Sequence, residues 1–164
     1  SYQVQWKADN KAFDVMKVTA ALQKIQESRN TRSFGSNNLR SQVEDVLLYS
    51  INADFTKRAG RNEIRYGAEA VYNDVKSSAT STNIETNVEV PASTRYPDGK
   101  NSYFTFAAFV TDNWEVHKKL ILSAGFRFSY VGIRAEFIDT TFYKFAAGKV
   151  SQNNAAPSGN IGLV

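Results

Sequence analysis

The side chains that could do acid–base chemistry in this 164-residue chain are few and scattered. Two carboxylates, Asp54 and Glu69, and two guanidinium groups, Arg65 and Arg127, alternate with small, polar or apolar residues. A pair of carboxylates can hydrolyse a glycosidic bond, but the residues around these two acids do not resemble such a site. We therefore predict that the four charges line a water-filled interior, where they pair with one another or with another domain. The chain is not expected to be an enzyme.

Metal, cofactor and nucleic-acid sites are not predicted either. The single histidine, His117, lies in a short polar turn beside Lys118 and Lys119, without the partners that a metal site needs. Cysteine is absent, which excludes disulfides, zinc–thiolate sites and cysteine nucleophiles. Basic residues exceed acidic ones by 20 − 16 = 4, and this excess is too small and too scattered to indicate a nucleic-acid surface. We expect no catalytic residue, no metal and no cofactor.

One polar segment is a candidate for ligand contact. Arg95-Tyr96-Pro97-Asp98-Gly99 contains the Pro-Asp-Gly sequence of a tight turn. Arginine and tyrosine are enriched among the residues that dominate binding energy at interfaces. Two interpretations stay open: Arg95, Tyr96 and Asp98 contact a substrate, or the segment is an ordinary loop tip.

The elements that must position these side chains are predicted to be strands. Between residues 119 and 134 the even positions are apolar and most odd positions are polar or small, which is the two-residue period of a β-strand. The same pattern recurs at 44–57 and 63–76, aromatic residues fill 103–115, and a last strand begins at 159–164. Residues 12–28 alternate as well, although they would also suit a helix. We favour a strand there because the neighbouring strands need a partner.

Strand and loop lengths indicate a membrane barrel. The predicted strands run to about a dozen residues, whereas strands of soluble proteins have about 5–6 and transmembrane strands about 9–11. Short turns at 57–62 and 115–119 alternate with long loops at 77–102 and 135–158, and 29–41 is intermediate. Outer-membrane barrels segregate their connections in this way. We predict an all-β, antiparallel, up-and-down piece of a transmembrane β-barrel with about five to six strands over residues 1–164. The last strand pattern breaks off at Val164, so we expect a fragment.

The apolar face of these strands is predicted to contact lipid. In the three clearest strands it carries no charge across five or six successive positions, and an Arg or Lys at the bilayer midplane would cost about 2–4 kcal/mol. The residues assigned to this face are Leu47, Tyr49, Ile51, Phe55, Tyr66, Tyr72, Leu120, Leu122, Phe126, Phe128 and Tyr130. The alternative is a secreted β-sandwich binding module, which would bury the same face against a second sheet. Exposure of this face in the isolated chain distinguishes the two.

Several segments carry a resemblance to a known family. Residues 109–116 read Phe-Val-Thr-Asp-Asn-Trp-Glu-Val, residues 120–128 read Leu-Ile-Leu-Ser-Ala-Gly-Phe-Arg-Phe, and residues 65–70 and 156–164 have the pattern of further strands. In this order they resemble the barrel of TonB-dependent outer-membrane receptors of Gram-negative bacteria. The plug domain and TonB box of that family are not represented.

The resemblance implies a function for the complete receptor, to which this chain would supply wall and loops. That function is active import of a scarce nutrient across the bacterial outer membrane, driven by the TonB complex. It implies as partners the outer-membrane lipid, the rest of the barrel, a plug domain, an unknown small-molecule substrate and, indirectly, the TonB complex. A passive porin-type channel is the alternative with the same fold.

Overall fold

A computed structural model describes residues 1–139, 141–142 and 148–164 of the chain. The described residues form eight strands. These are β1 (Tyr2–Lys7), β2 (Val15–Thr31), β3 (Asn38–Ala59), β4 (Asn62–Asn83), β5 (Glu89–Pro91), β6 (Asn101–His117), β7 (Leu120–Glu136) and β8 (Lys149–Leu163). No helix capable of spanning a membrane occurs among the described residues.

All eight strands belong to one antiparallel sheet. Seven follow one another in the order β1-β2-β3-β4-β6-β7-β8, and short β5 pairs with the far end of β4. This is the predicted all-β, up-and-down arrangement. Residues 15–28 are strand and not helix, because β2 pairs with β3 at every residue from Val15 to Thr31 and its backbone groups therefore have a partner strand.

The strands are more numerous and longer than predicted. The sequence did not predict β1 and β5. The connection predicted at 29–41 is shorter in the structure and comprises residues 32–37. The predicted loop at 77–102 contains the end of β4, and the predicted loop at 135–158 contains the first part of β8. These segments are rich in Ser, Thr, Asn and Gln, so both of their faces are polar and no apolar period marks them. Cross-strand backbone hydrogen bonds hold them in the sheet regardless of side-chain polarity.

The two shortest connections lie at one end of the sheet and the two longest at the other, whereas residues 8–14 and 32–37 are of similar length. Residues 8–14, 60–61 and 118–119 connect strands at one end, which we call the turn end. Residues 32–37, 84–100 and 137–148 connect them at the other, the loop end, with β5 inside the second of these. Strands β3 and β4 have 22 residues each. A strand of that length measures about 75 Å, more than twice the thickness of a bilayer's hydrocarbon core.

The sheet has no apolar core of its own. Among the described residues, Ala107 is the one buried hydrophobic side chain, whereas Ile51 and Phe126 are 54% and 53% exposed. A β-sandwich would bury these side chains between two sheets. The single sheet and its exposed apolar face therefore rule out the sandwich for the part of the chain that the structure describes.

Candidate lipid-facing and lumen-facing surfaces

The strand register places the predicted lipid-facing residues on one face of the sheet, and most of them lie in one band. Directly paired residues of neighbouring antiparallel strands lie on the same face of a sheet, so each rung of the ladder can be followed from strand to strand. Four successive rungs across β3, β4, β6 and β7 are Tyr49–Tyr72–Phe104–Gly132, Ile51–Ala70–Phe106–Tyr130, Ala53–Ala68–Ala108–Phe128 and Phe55–Tyr66–Val110–Phe126. All eleven predicted residues lie on this face, which we call the apolar face, although Leu120 and Leu122 lie nearer the turn end than the rung of Lys57 and Asp112.

Charged rungs bound the apolar face at both ends. Toward the loop end, Lys24, Asp74 and Arg134 share the rung of Leu47. Toward the turn end, Lys57 and Asp112 share one rung. The rungs between them carry no charged side chain on this face. From Leu47 to Lys57 there are ten residue steps, which at a strand tilt of about 40° span about 26 Å. This height matches the roughly 25 Å apolar band of outer-membrane barrels.

Aromatic pairs stand at both margins of the band. Near the turn end the rings of Phe55 and Tyr66 stack at 5.0 Å, and the Tyr66 hydroxyl donates to the carbonyl oxygen of Ala12 at 2.8 Å. Near the loop end Tyr49 and Tyr72 pair at 6.4 Å. Such rings, apolar in body and polar at the tip, are the residues that settle at a membrane–water interface. Aromatic residues thus lie at both margins of the band, where a barrel in a membrane would place its interfacial rings.

The opposite face, here the polar face, holds the four predicted interior charges. Arg127 forms an ion pair with Glu69, and its Nε donates to Ser129 Oγ at 3.2 Å. Asp54 accepts a hydrogen bond from Asn52 Nδ2 at 3.1 Å. The structure thus brings Glu69 and Arg127 together and leaves Asp54 in a separate contact.

Arg65, the fourth predicted interior charge, belongs to the turn end. Its Nη2 lies 2.6 Å from Glu63 Oε1, and Arg58 contacts the same carboxylate at 3.2 Å. Asp14 also lies at this end, where it accepts hydrogen bonds from Lys57 Nζ at 2.5 Å and from the Arg58 amide at 2.7 Å. The Lys57 ammonium, and after it the Arg58 amide, lower the pKa of Asp14 below its ordinary 3.8. Together these ion pairs and hydrogen bonds connect neighbouring strands at the turn end of the sheet.

Phe109 interrupts the polar face for a packing reason. It is paired with Gly67 of β4, and its ring covers the space that a side chain would occupy there. A Cβ on Gly67 would come within 3.0 Å of the ring and still closer to the carbonyl oxygen of Ala53. The aromatic ring therefore fills the gap left by the glycine, as in other sheets where an aromatic residue covers a strand glycine.

The candidate ligand-contact residues at the loop end already have protein partners. Both carboxylate oxygens of Asp98 accept backbone hydrogen bonds, from the amides of Ile138 at 2.9 Å and Asp139 at 2.8 Å. Asp98 thereby joins the β4–β6 connection to the β7–β8 connection. Tyr96 remains 48% exposed, with its ring centroid 5.9 Å from Arg95 Cζ.

Arg95 reveals a cluster that sequence reasoning missed. Its Nη1 lies 3.1 Å from Glu27 Oε1 and 3.7 Å from Glu44 Oε2. Glu27 and Glu44 are direct partners on β2 and β3, and Glu44 is only 4% exposed. Glu44 lies an even number of residues from Ser50, as do Val46 and Leu48. The two-residue period of a strand could therefore have placed Glu44 on the polar face. Its burial depends on a connection distant in sequence and had no local signal.

Comparisons with known proteins agree with this architecture. A family model described as "TonB dependent receptor-like, beta-barrel" matches residues 1–164. The copper transporter OprC has a similar structure, with a TM-score of 0.76 and 12% sequence identity over 98% of this chain and 26% of that chain. The ferric yersiniabactin uptake receptor FyuA from Yersinia pestis has a TM-score of 0.56 and 14% identity over 98% and 23%.

A comparison with curated protein sequences gives no match. At these identities the two solved structures show the fold alone, and this chain spans about a quarter of the length of each. The family model, in contrast, covers every residue. The chain therefore belongs to the TonB-dependent receptor β-barrel family.

Proposed function

We propose that this chain forms part of the transmembrane wall of an outer-membrane transporter that imports a scarce nutrient. The observation that carries the proposal is the charge-free apolar band about 26 Å high, bounded on both sides by charged rungs. A soluble protein has no reason to expose such a band, since large apolar patches on monomers mark interaction or membrane surfaces. Family membership supports import energised by the TonB complex over passive, porin-type diffusion.

The two outer strands of the sheet need partners in a membrane. One edge of β1 and one edge of β8 have no neighbouring strand among the described residues. Unpaired backbone groups in hydrocarbon cost several kcal/mol each, which is why membrane sheets close into barrels. We propose that further barrel strands pair with both edges and that a plug domain packs against the polar face around Asp54, Glu69 and Arg127. Arg65, with Glu63, would face the same interior near the periplasmic turns.

The substrate would approach from the loop end. Long connections of outer-membrane barrels lie outside the cell and short turns lie in the periplasm. OprC is named for copper and FyuA for ferric yersiniabactin. Those names describe the two neighbours, and for this chain we propose only a small nutrient that reaches the interior past residues 84–100. Tyr96 is 48% exposed and, unlike Arg95 and Asp98, forms no ion pair and no carboxylate bridge to another connection within the described residues, and it remains our choice for such a contact.

The orientation of the sheet can be tested by lipid quenching. This chain contains no cysteine, so single cysteines along β7 can be labelled in the full-length protein once any cysteine outside the chain has been replaced. A fluorophore at Phe126 or Phe128 should be quenched by lipids brominated on their acyl chains, whereas one at Arg127 or Ser129 should not. Equal quenching at all four positions, or the opposite alternation, would refute the proposed wall.

Energy coupling needs its own measurement. The full-length protein should bind the purified periplasmic domain of TonB, because the proposed import depends on that complex. A protein that spans the membrane with the expected quenching pattern but shows no interaction with TonB would be a passive channel.

A further inference from the structure

A buried carboxylate on the polar face lacks hydrogen-bond donors. Glu44 lies beyond the charged rung of Lys24 and Asp74, toward the loop end, and is 96% buried, being only 4% exposed. Neither of its carboxylate oxygens has a hydrogen-bond partner among the described residues. A buried carboxylate without donors is unusual, because proteins satisfy nearly all buried polar atoms. The position therefore calls for a hydrogen-bond donor, which the described residues supply incompletely.

Arg95 partly fills this need. It approaches Glu44 to 3.7 Å, too far for a hydrogen bond, while its closer contact at 3.1 Å is with Glu27. Glu27 is itself more than half exposed and also has Arg29 at 3.6 Å. Of these two neighbouring carboxylates, that of Glu27 is accessible to solvent and that of Glu44 is buried. The Arg95 guanidinium lies close to both.

The segment that carries Arg95 is attached to β3 through a different residue. Arg40 donates to the carbonyl oxygen and hydroxyl of Ser93, and Gln42 Nε2 donates to the same carbonyl oxygen at 3.1 Å. The backbone can therefore stay in place when the Arg95 side chain moves. In its present position the guanidinium group also lies beside the Tyr96 ring, and because cations are attracted to aromatic faces, a displaced Arg95 side chain can stay against this ring.

We propose that Glu27 and Glu44 form a binding site for a guanidinium or primary ammonium group, and that Arg95 occupies this site when no ligand is bound. This inference rests on the proposed function, since the polar face must line the import path. A cationic ligand enters along the exposed side of Glu27, displaces the Arg95 side chain and donates hydrogen bonds to Glu44. The substrate class that such a site recognises is a small molecule or peptide with an exposed guanidinium or amine.

Calorimetry on the full-length protein in detergent micelles tests the site with defined probes. L-arginine amide carries the cationic group, and citrulline amide replaces its guanidinium with a neutral urea of similar shape. The first should bind saturably and the second should not. Glu44→Gln should weaken the binding of arginine amide about 10- to 100-fold, because hydrogen bonds to a charged group are lost. Glu89→Gln, on exposed β5, is the matched control and should bind like the wild type.

Arg95→Ala provides the decisive second variant. If Arg95 competes with the ligand, its removal should tighten the binding of arginine amide. Weaker or unchanged binding in this variant would overturn the proposal, as would equal binding of both probes or an unaffected Glu44→Gln variant. The lipid-quenching pattern on β7, measured on the same proteins, distinguishes failure of the cation site from failure of the proposed wall. A normal pattern without saturable binding overturns the cation site alone, whereas a lost pattern overturns the proposed wall.

Discussion

An arginine placed at the middle of the apolar band should strongly destabilise the folded protein in a membrane. Ile51 lies four residue steps from the rung of Leu47 and six from that of Lys57. At about 3.4 Å per residue and a tilt of about 40°, these steps place Ile51 about 10 Å and 16 Å from the two margins, close to the midplane. An Arg on the lipid face costs about 2–4 kcal/mol at this depth. We expect Ile51→Arg to lower the free energy of unfolding by that amount.

Two matched variants distinguish the effect of the face of the sheet from the effect of depth in the membrane on the cost of an arginine. Ser50→Arg lies at the same depth on the polar face, where water reaches the guanidinium, and should change the unfolding free energy by less than about 1 kcal/mol. Leu47→Arg lies on the apolar face but within a charged rung, where the cost should fall to about 0–1 kcal/mol.

Denaturant titration of the full-length protein in lipid vesicles, followed by tryptophan fluorescence, measures all three variants. The reasoning is refuted if Ser50→Arg is as costly as Ile51→Arg, because the two faces would then have the same environment. An equal cost for Leu47→Arg and Ile51→Arg would refute the assigned height of the band.

Three further expectations concern packing, loop order and pH. Gly67→Ala should cost about 1–3 kcal/mol because the new methyl group has no room beneath the aromatic ring, whereas Gly162→Ala, with nothing within 4 Å, should be nearly neutral in denaturant titrations. Asp98→Ala should speed hydrogen exchange of the two amides that this carboxylate holds at residues 138 and 139, and unchanged protection there would show that the contact does not order the loop. The lowered pKa of Asp14 means that its contribution to stability is complete above pH 3.8 and is lost as the pH falls through the lower folded-state value. Lys57→Met should raise the pKa of Asp14 toward 3.8 in a titration followed by NMR, and an unchanged pKa would contradict the assigned cause.

The sequence predicts most reliably where one face of a strand is apolar. Leu122, Phe126 and Phe128 alternate with polar neighbours, so their strand and their common face follow from the period of two. Residues 77–83 and 149–158 lack that contrast because polar side chains occur on both of their faces, and the sequence therefore suggests loops. These segments are strands because they pair with β3 and β7, and the residues within each segment do not indicate that pairing.

The candidate site illustrates a different limit. Glu69 and Arg127 are individually visible as polar-face charges, but their ion pair depends on the register between three strands. The burial of Glu44 depends on Arg95 folding back across β2 and β3 from a distant connection. Such contacts are properties of the assembled sheet and have no signature in neighbouring residues.

The length of β3 and β4 has a consequence for how molecules enter. In the proposed wall, about half of each strand stands clear of the lipid, and its amides are bonded to neighbouring strands there. The extracellular opening of the proposed barrel would then be lined by hydrogen-bonded strands and not by loops alone. We expect such an opening to select solutes by size before they reach the candidate contact residues.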